Sequence, residues 1–419
     1  MGTMLSVRLF SGVPFCLLLI FGGCAGHPTN GYSCHKSCDD GFYPKMKRMP
    51  HCPTGDRDHK WDNLVLQGGG VKGIAYGGAL KVLNHRGHLE PIENVAGTSA
   101  GAITAALLAM GYNACEVAHY AKKYPYPELR DGKGLQEVPR LVHQYGVYTG
   151  DFFRCSMRCL AEDTLGDKDV NFKTLGEKVK HRKKNRHGRE LKYLHVVATD
   201  VSTRAPVTFS HESEYADISI AEAVRKSMSI PFFFRAQVLE EKGPPPEEKV
   251  REHVFVDGGV VRNYPIGLFD GKVHPNERRE CLRQNEGAPE NCGINQRTLG
   301  LHLSEGRKPY YETNDIIGFT RQLFDTLTAV QIDQLCDASQ DVKRTAFIDT
   351  YEISATDFDL TKSQKRCLVE SGRQHMRAYL SRKEPDGNCP SFIQPTSDAD
   401  VLVCAEEIVP PEYSEPSVN

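Results

Sequence analysis

Within residues 61–110, WDNLVLQGGGVKGIAYGGALKVLNHRGHLEPIENVAGTSAGAITAALLAM, the chain passes twice from a short apolar run through glycines into a helical pattern. Leu64-Val65-Leu66 has strand length and ends on Gly68-Gly69-Gly70-Val71-Lys72-Gly73. Beyond that loop, Ala75, Ala79 and Val82 beside Tyr76, Leu80 and Leu83 fall at helical spacing, and Gly87 stands where a helix-terminating glycine belongs. The second unit runs from Val95-Ala96 through Gly97-Thr98-Ser99-Ala100-Gly101 into an Ala/Leu-rich segment that reads as a buried helix ending at Met110. In G-x-S-x-G the serine occupies a strained strand-to-helix turn, and the flanking Gly97 and Gly101 remove side chains that would clash there. Such a turn exposes the Ser99 hydroxyl at the positive end of a helix, where negative charge is stabilised.

The glycine loop admits two functional readings. Gly68, Gly70 and Gly73 satisfy G-x-G-x-x-G between strand and helix, with Glu90 and Glu93 roughly 20 residues on, as a dinucleotide site requires. Against it, both glutamates precede the second strand instead of ending it. A phosphate-binding P-loop is excluded because neither Ser nor Thr follows Lys72-Gly73. The alternative is an oxyanion hole: bare backbone amides approach a tetrahedral intermediate, and Lys72 adds positive potential.

The order G-G-G-x-K-G, then G-T-S-A-G, then Asp257-Gly258-Gly259 resembles the patatin-like phospholipase family. Three further stretches look similar to it: Val196-Val197-Ala198-Thr199-Asp200, Ser227-Met228-Ser229-Ile230-Pro231 and Asn263-Tyr264-Pro265. The resemblance covers residues 61–380. It implies an α/β fold, a three-layer α/β/α sandwich around a mostly parallel, mixed sheet. It also implies a catalytic dyad of Ser99 as nucleophile and Asp257 as base, with Gly68, Gly69, Gly70, Lys72 and Gly73 in the oxyanion loop. Neither metal nor cofactor is implied. The expected substrate is a phospholipid or related acyl lipid met at a membrane surface, and the expected reaction is acyl-ester hydrolysis. A carboxylesterase or acyltransferase using the same dyad, or an inactive lipid-binding protein, are the other readings. For the base itself, His302, His375 and Asp200 are the competitors; His302 sits in a strand-like run and His375 in a helical one.

With 419 residues the chain has ample length for a large core, and a net charge of −2 argues against a nucleic-acid partner. Residues 1–26 carry one positive charge, Arg8, and an apolar run from Val13 to Phe21, too short to span a bilayer but right for a signal peptide. Cys24 sits in an imperfect lipoprotein box, and a signal anchor is the third option. Fourteen cysteines point to an oxidising compartment. Residues 27–60 form a Cys-rich extension in which Cys34, Cys38 and Cys52 suit disulfides better than a zinc knot with His35 and His51. Cys155 with Cys159 and Cys281 with Cys292 are expected local pairs, and the tail, 381–419, is expected to be stapled by Cys389 or Cys404.

Between these landmarks, Tyr124, Tyr126, Tyr145, Tyr148, Phe152 and Phe153 read as core or as an acyl-chain groove, and so do Phe232, Phe233 and Phe234. Residues 178–189 hold seven Lys or Arg, a solvated loop or an attraction for anionic headgroups. Strands are expected at 191–199, 254–256, 299–303 and 344–351, and helices at 218–227, 316–335 and 362–380, the second of them covering the sheet through Ile317, Phe319 or Thr320, Phe324, Leu327 and Val330.

Overall fold

The computed structural model describes residues 43–49, 52–132, 137–242, 250–273, 275–284, 292–304, 316–351 and 353–382, together with Cys34, Cys38 and Cys389. The signal segment, Cys24 and Cys404 lie outside the described residues. Contacts divide the chain after His35, and every strand and helix named here belongs to the unit Lys36–Asn419.

Strand β1 (Asn63–Leu66) leads through a 3₁₀ turn at Gly70–Ala75 into helix α1 (Tyr76–His85), and β2 (Asn94–Thr98) leads through Ser99 into α2 (Ala100–Ala109). Helix α3 (Ala114–Lys123), α4 (Glu137–Gln144), β3 (Gly146–Tyr148), α5 (Asp151–Leu165) and α6 (Phe172–Lys180) precede β4 (Tyr193–Asp200). Then come β5 (Ala205–Phe209), α7 (Ile220–Ser227), β6 (Phe232–Phe234), β7 (Gln237–Lys242) and β8 (Val250–Asp257). The chain continues with α8 (Pro275–Gln284), β9 (Thr298–Ser304), α9 (Ile316–Asp337), α10 (Ser339–Lys343), β10 (Thr345–Asp349) and α11 (Lys362–Ser381). Helix starts follow local chemistry: Asn113 with Glu116 and Thr361 with Gln364 form capping boxes, and Ser219 caps α7.

The main sheet has the order β10-β9-β1-β2-β4-β8-β7, with β5 pairing to β4 as well. Its strands β10, β9, β1, β2 and β4 are parallel, and β8 then joins β4 antiparallel. This is the mixed, helix-flanked sheet that the sequence implied. β1 and β9 are buried along their whole length, since a parallel strand is covered on both faces; β1 is accordingly apolar over Leu64-Val65-Leu66, while β9 alternates leucines with buried Thr298, His302 and Ser304. On one face Val65 and Ala96 pack with Ile266, Phe269, Leu335, Val342 and Phe347. Toward the other lies α2, packed on β1, β2 and β4, while α11 closes on α1.

Several expectations change. Helix α9 covers the sheet only in part: Thr320, Phe324 and Leu335 are buried, whereas Phe319, Leu323, Leu327 and Val330 face solvent; the Ile317 side chain lies outside the described residues. Cys159 pairs with Cys38 and not with Cys155, which is itself disulfide-bonded, and Cys52 pairs with Cys115. A zinc knot is therefore ruled out, since Cys34, Cys38 and Cys52 are all oxidised. Cys281–Cys292 forms as expected, and Cys389 ties the tail to Cys336 of α9. The extension is held further by Glu116, fully buried, which accepts the Met49 N–H at 3.1 Å.

Candidate active site

In a parallel sheet loops gather at the carboxyl ends of the strands, and this topology brings the two glycine turns together. Leu66 of β1 is level with Gly97 of β2, so the glycine loop and Ser99 leave the sheet side by side. Asp257 reaches the same level by a different route. Thr98 is level with Val197 of β4, and the next residue of β4, Ala198, pairs with Asp257 on the antiparallel β8. Register alone thus sets Ser99 and Asp257 at one height, separated by a single strand.

Ser99 has φ 50° and ψ −120°, a conformation that costs about 1–3 kcal/mol for a non-glycine residue. The turn closes because backbone meets backbone: a Cβ on Gly101 would lie 2.2 Å from the Leu66 carbonyl oxygen, and one on Gly97 would lie 2.3 Å from the Gly101 carbonyl carbon. The Ser99 N–H donates to Ser227 Oγ at 2.8 Å, and that hydroxyl donates to the Val197 carbonyl at 2.6 Å. Two residues on, the Ser229 carbonyl accepts the Asp257 N–H at 2.8 Å. The end of α7 therefore holds both sides of the site, a role that the sequence signalled only as an unassigned similar stretch.

Asp257 is fully buried. Its Oδ1 accepts the Gly259 N–H at 2.7 Å, while Oδ2 has no aligned hydrogen-bond partner among the described residues. Burial pushes the carboxyl up to about 7; the neighbouring Ser99 hydroxyl and the Gly259 amide pull it back in part. A carboxyl with that affinity is poised to take a proton at neutral pH, and its unaligned Oδ2 is the atom free to do so.

The glycine loop is more specific than its composition suggested. Gly68 N–H is spent on the Asn263 carbonyl at 3.0 Å, Val71 N–H on Ala355 and Lys72 N–H on Gly69. The N–H groups of Gly69 and Gly70 make no hydrogen bond among the described residues, and they are the available donors. Gly70 has φ +55°, and a Cβ there would lie 1.9 Å from the Ala355 carbonyl oxygen. Gly73 lies in the 3₁₀ turn, and Lys72 is buried beside it. Asn263 and Gln331 brace the arrangement: Gln331 accepts the Asn263 N–H at 2.7 Å and donates to the Gly259 carbonyl at 2.9 Å. Gln331 lies on α9, too remote in sequence to have been connected with the site beforehand.

Two cavities flank the loop. Gly70, Gly73 and Ser99 open on about 730 Å³ of empty space, part of it open to solvent, walled by Ile103, Leu107, Tyr124, Phe153, Phe234 and Phe358. Aromatic residues read as core or groove thus do both: Phe234 and Tyr124 are buried and line this space, while Tyr145 and Phe232 are exposed. On the other side Gly68, Gly69, Lys72 and Asn263 face a more polar cleft walled by Asp325, Thr326 and Thr328 of α9.

The competing assignments do not reach Ser99. His302 is buried, with Nδ1 on Ser304 Oγ at 3.0 Å and its ring against Tyr264 and Phe347; burial lowers it to about 3. His375 bonds within α11 to Ser371, and Asp200 is engaged by His253 at 2.7 Å. The dinucleotide reading fails on placement, because Glu90 and Glu93 precede β2, at the end of the sheet opposite the glycine loop.

Site and sheet together define an α/β protein built on a serine elbow, with an aspartate at its side where a histidine would be usual. Residues 64–270 match the family model described as patatin-like phospholipase, so the chain carries a patatin-like phospholipase domain, the domain of a family of lipid acyl hydrolases. It is 28% identical to the uncharacterized protein YqhO of Bacillus subtilis over 76% of this chain and 97% of the relative. It is 26% identical to the uncharacterized protein R571 of Acanthamoeba polyphaga mimivirus, again over 76% of this chain and 93% of the relative. Among solved structures, VipD of Legionella pneumophila is similar at 18% identity and TM-score 0.46, over 80% of this chain and 73% of that one.

Proposed function

We propose that the protein is a phospholipase A-type hydrolase in which Ser99 and Asp257 form the catalytic dyad. The observation that carries this reading is the shared level of the two residues on either side of β4, beside an apolar cavity. Ser99 Oγ attacks the acyl carbonyl and its proton passes to Asp257 Oδ2. Charge developing on the carbonyl oxygen meets the Gly69 and Gly70 amides and the first turn of α2. Asp257 returns the proton to the leaving alcohol, then takes one from the water that attacks the acyl-enzyme and passes it to Ser99 Oγ as the fatty acid departs. The fatty chain occupies the aromatic-lined cavity; Gly97 and Gly101 let the elbow form, and Lys72 biases the loop toward anions.

Residues 61–380 would act as the catalytic domain, with 1–26 as the export signal, 27–60 as a disulfide-pinned extension and 381–419 as a tail. Cys38–Cys159 and Cys52–Cys115 support an exported, oxidised protein.

The test is a panel of phospholipids and simple esters assayed in parallel with wild type, Ser99→Ala and Asp257→Asn. Both variants are expected to lose at least about 10³-fold in kcat, and only chains with an intact Ser99 should take a fluorophosphonate label. Full activity in Asp257→Asn would exclude the dyad.

A further inference from the structure

Helix α9 has an apolar side that the fold does not use. Phe319, Leu323, Leu327 and Val330 recur at helical spacing and are 51%, 41%, 37% and 55% exposed. Between Gln322 and Ile332 the one charged residue is Asp325, and it faces the cleft by the glycine loop. A surface helix ordinarily turns its polar side to water; this stretch turns out a stripe of large apolar side chains. The stripe adjoins a second anomaly. Strand β6 packs against α9, and its Phe232 has φ +62°; the Phe232 N–H bonds at 3.0 Å to the carbonyl of Tyr145, which has φ +61°. Bulky residues rarely adopt that conformation, and here it accompanies aromatic rings held out in solvent, 36% and 53% exposed.

We propose that this stripe, extended by Phe232 and Tyr145, is the surface on which the protein seats itself in the interfacial region of a lipid bilayer. The inference rests on the hydrolase reading and says where its substrate is met. Continuity with the site favours a membrane over other occupants: the opposite side of α9 presents Thr328, Ala329 and Ile332 to the cleft, and Gln331 bonds directly to the Asp257 loop. A bilayer lying on the stripe is thus about one helix diameter, roughly 10 Å, from the glycine loop. Attachment is apolar in kind. The Lys/Arg-rich run is at the other end of the sheet, where Lys180, Arg182 and Lys183 share a cleft with Glu90, Glu93 and Glu190.

The test uses the full chain with its disulfides formed, in sedimentation with phosphatidylcholine vesicles. Wild type and Ser99→Ala should bind alike, and Leu323→Glu/Leu327→Glu should bind at least about tenfold more weakly, in low and high salt equally. Hydrolysis of a water-soluble short-chain ester by the double variant should equal that of wild type, which serves as the control for folding. Equal vesicle binding by wild type and double variant overturns the proposal. Wild type that stays unbound, its stripe taken by a second copy or by its own tail, overturns it too, as does binding confined to anionic vesicles and abolished by salt. Ester hydrolysis that survives in Ser99→Ala would instead overturn the hydrolase reading, while leaving the vesicle result to judge the surface.

Discussion

At the residue scale the site is governed by one buried carboxyl. Asp257 titrates at about 7 because it is dry, so the fraction able to accept the Ser99 proton grows with pH, and kcat should rise through about 7 and then level. Stability runs the other way. The folded carboxyl holds its proton more tightly than the unfolded one, so between the ordinary value of 3.8 and about 7 the folded state binds more protons, and stability falls as pH rises. Above that range the penalty is complete, at most roughly 4 kcal/mol. Asp257→Asn should therefore melt with wild type near pH 4 and above it at pH 8, measured by thermal unfolding across that range. Ser227 makes a different prediction: its hydroxyl holds the strained Ser99 N–H from behind and touches no substrate. Ser227→Ala should lower kcat about 10- to 100-fold with KM little changed, and Ser227→Thr should restore part of the loss. Neither group's role is legible in the chain by itself. Asp257 is reached only through resemblance, since nothing about an isolated Asp-Gly-Gly tells which strand it will face; the elbow serine is evident from its own neighbours, because its constraint is local.

At the scale of elements, sequence patterns serve where an element's surroundings are uniform. Leu64-Val65-Leu66 of β1 reads as a continuous apolar run because both faces of the strand are covered, and α7 and α11 are bounded to within a few residues because their caps are local chemistry. Helix α9 misleads for the converse reason: apolar residues on both of its sides read as one buried face, although only Phe324, Leu335 and their neighbours reach the core. Disulfides show the same limit. Cys281–Cys292 closes a short excursion and is expected from the sequence, whereas Cys38–Cys159 and Cys52–Cys115 join positions 121 and 63 residues apart, which only folding makes adjacent. In the chain-entropy account these two long bridges restrict the unfolded chain by about 5 and about 4 kcal/mol respectively. Cys52→Ser/Cys115→Ser should accordingly lower Tm by several degrees while short-chain ester hydrolysis at low temperature persists, checked by calorimetry beside an esterase assay.

Across the whole molecule, chemistry and charge are segregated along the strands. Ser99, Asp257 and the glycine loop gather at the carboxyl ends of the parallel strands, and the run from Lys178 to Arg189 lies at the amino ends. Lys180→Glu/Arg182→Glu/Lys183→Glu should then leave hydrolysis of zwitterionic vesicles within about twofold of wild type, as surface charges far from the substrate do; a large loss would place the lipid at the wrong end. Architecture is legible as a class but strand order is not, since the antiparallel insertion of β8 beside β4 depends on pairing between segments distant in the chain. That insertion has a consequence for biosynthesis. Serine and aspartate are about 160 residues apart, and contacts so remote are slow to form. With the dyad proposed above, the growing polypeptide is an elbow with nothing to receive its proton until the later strand docks, so acyl transfer waits for that long-range pairing of the sheet.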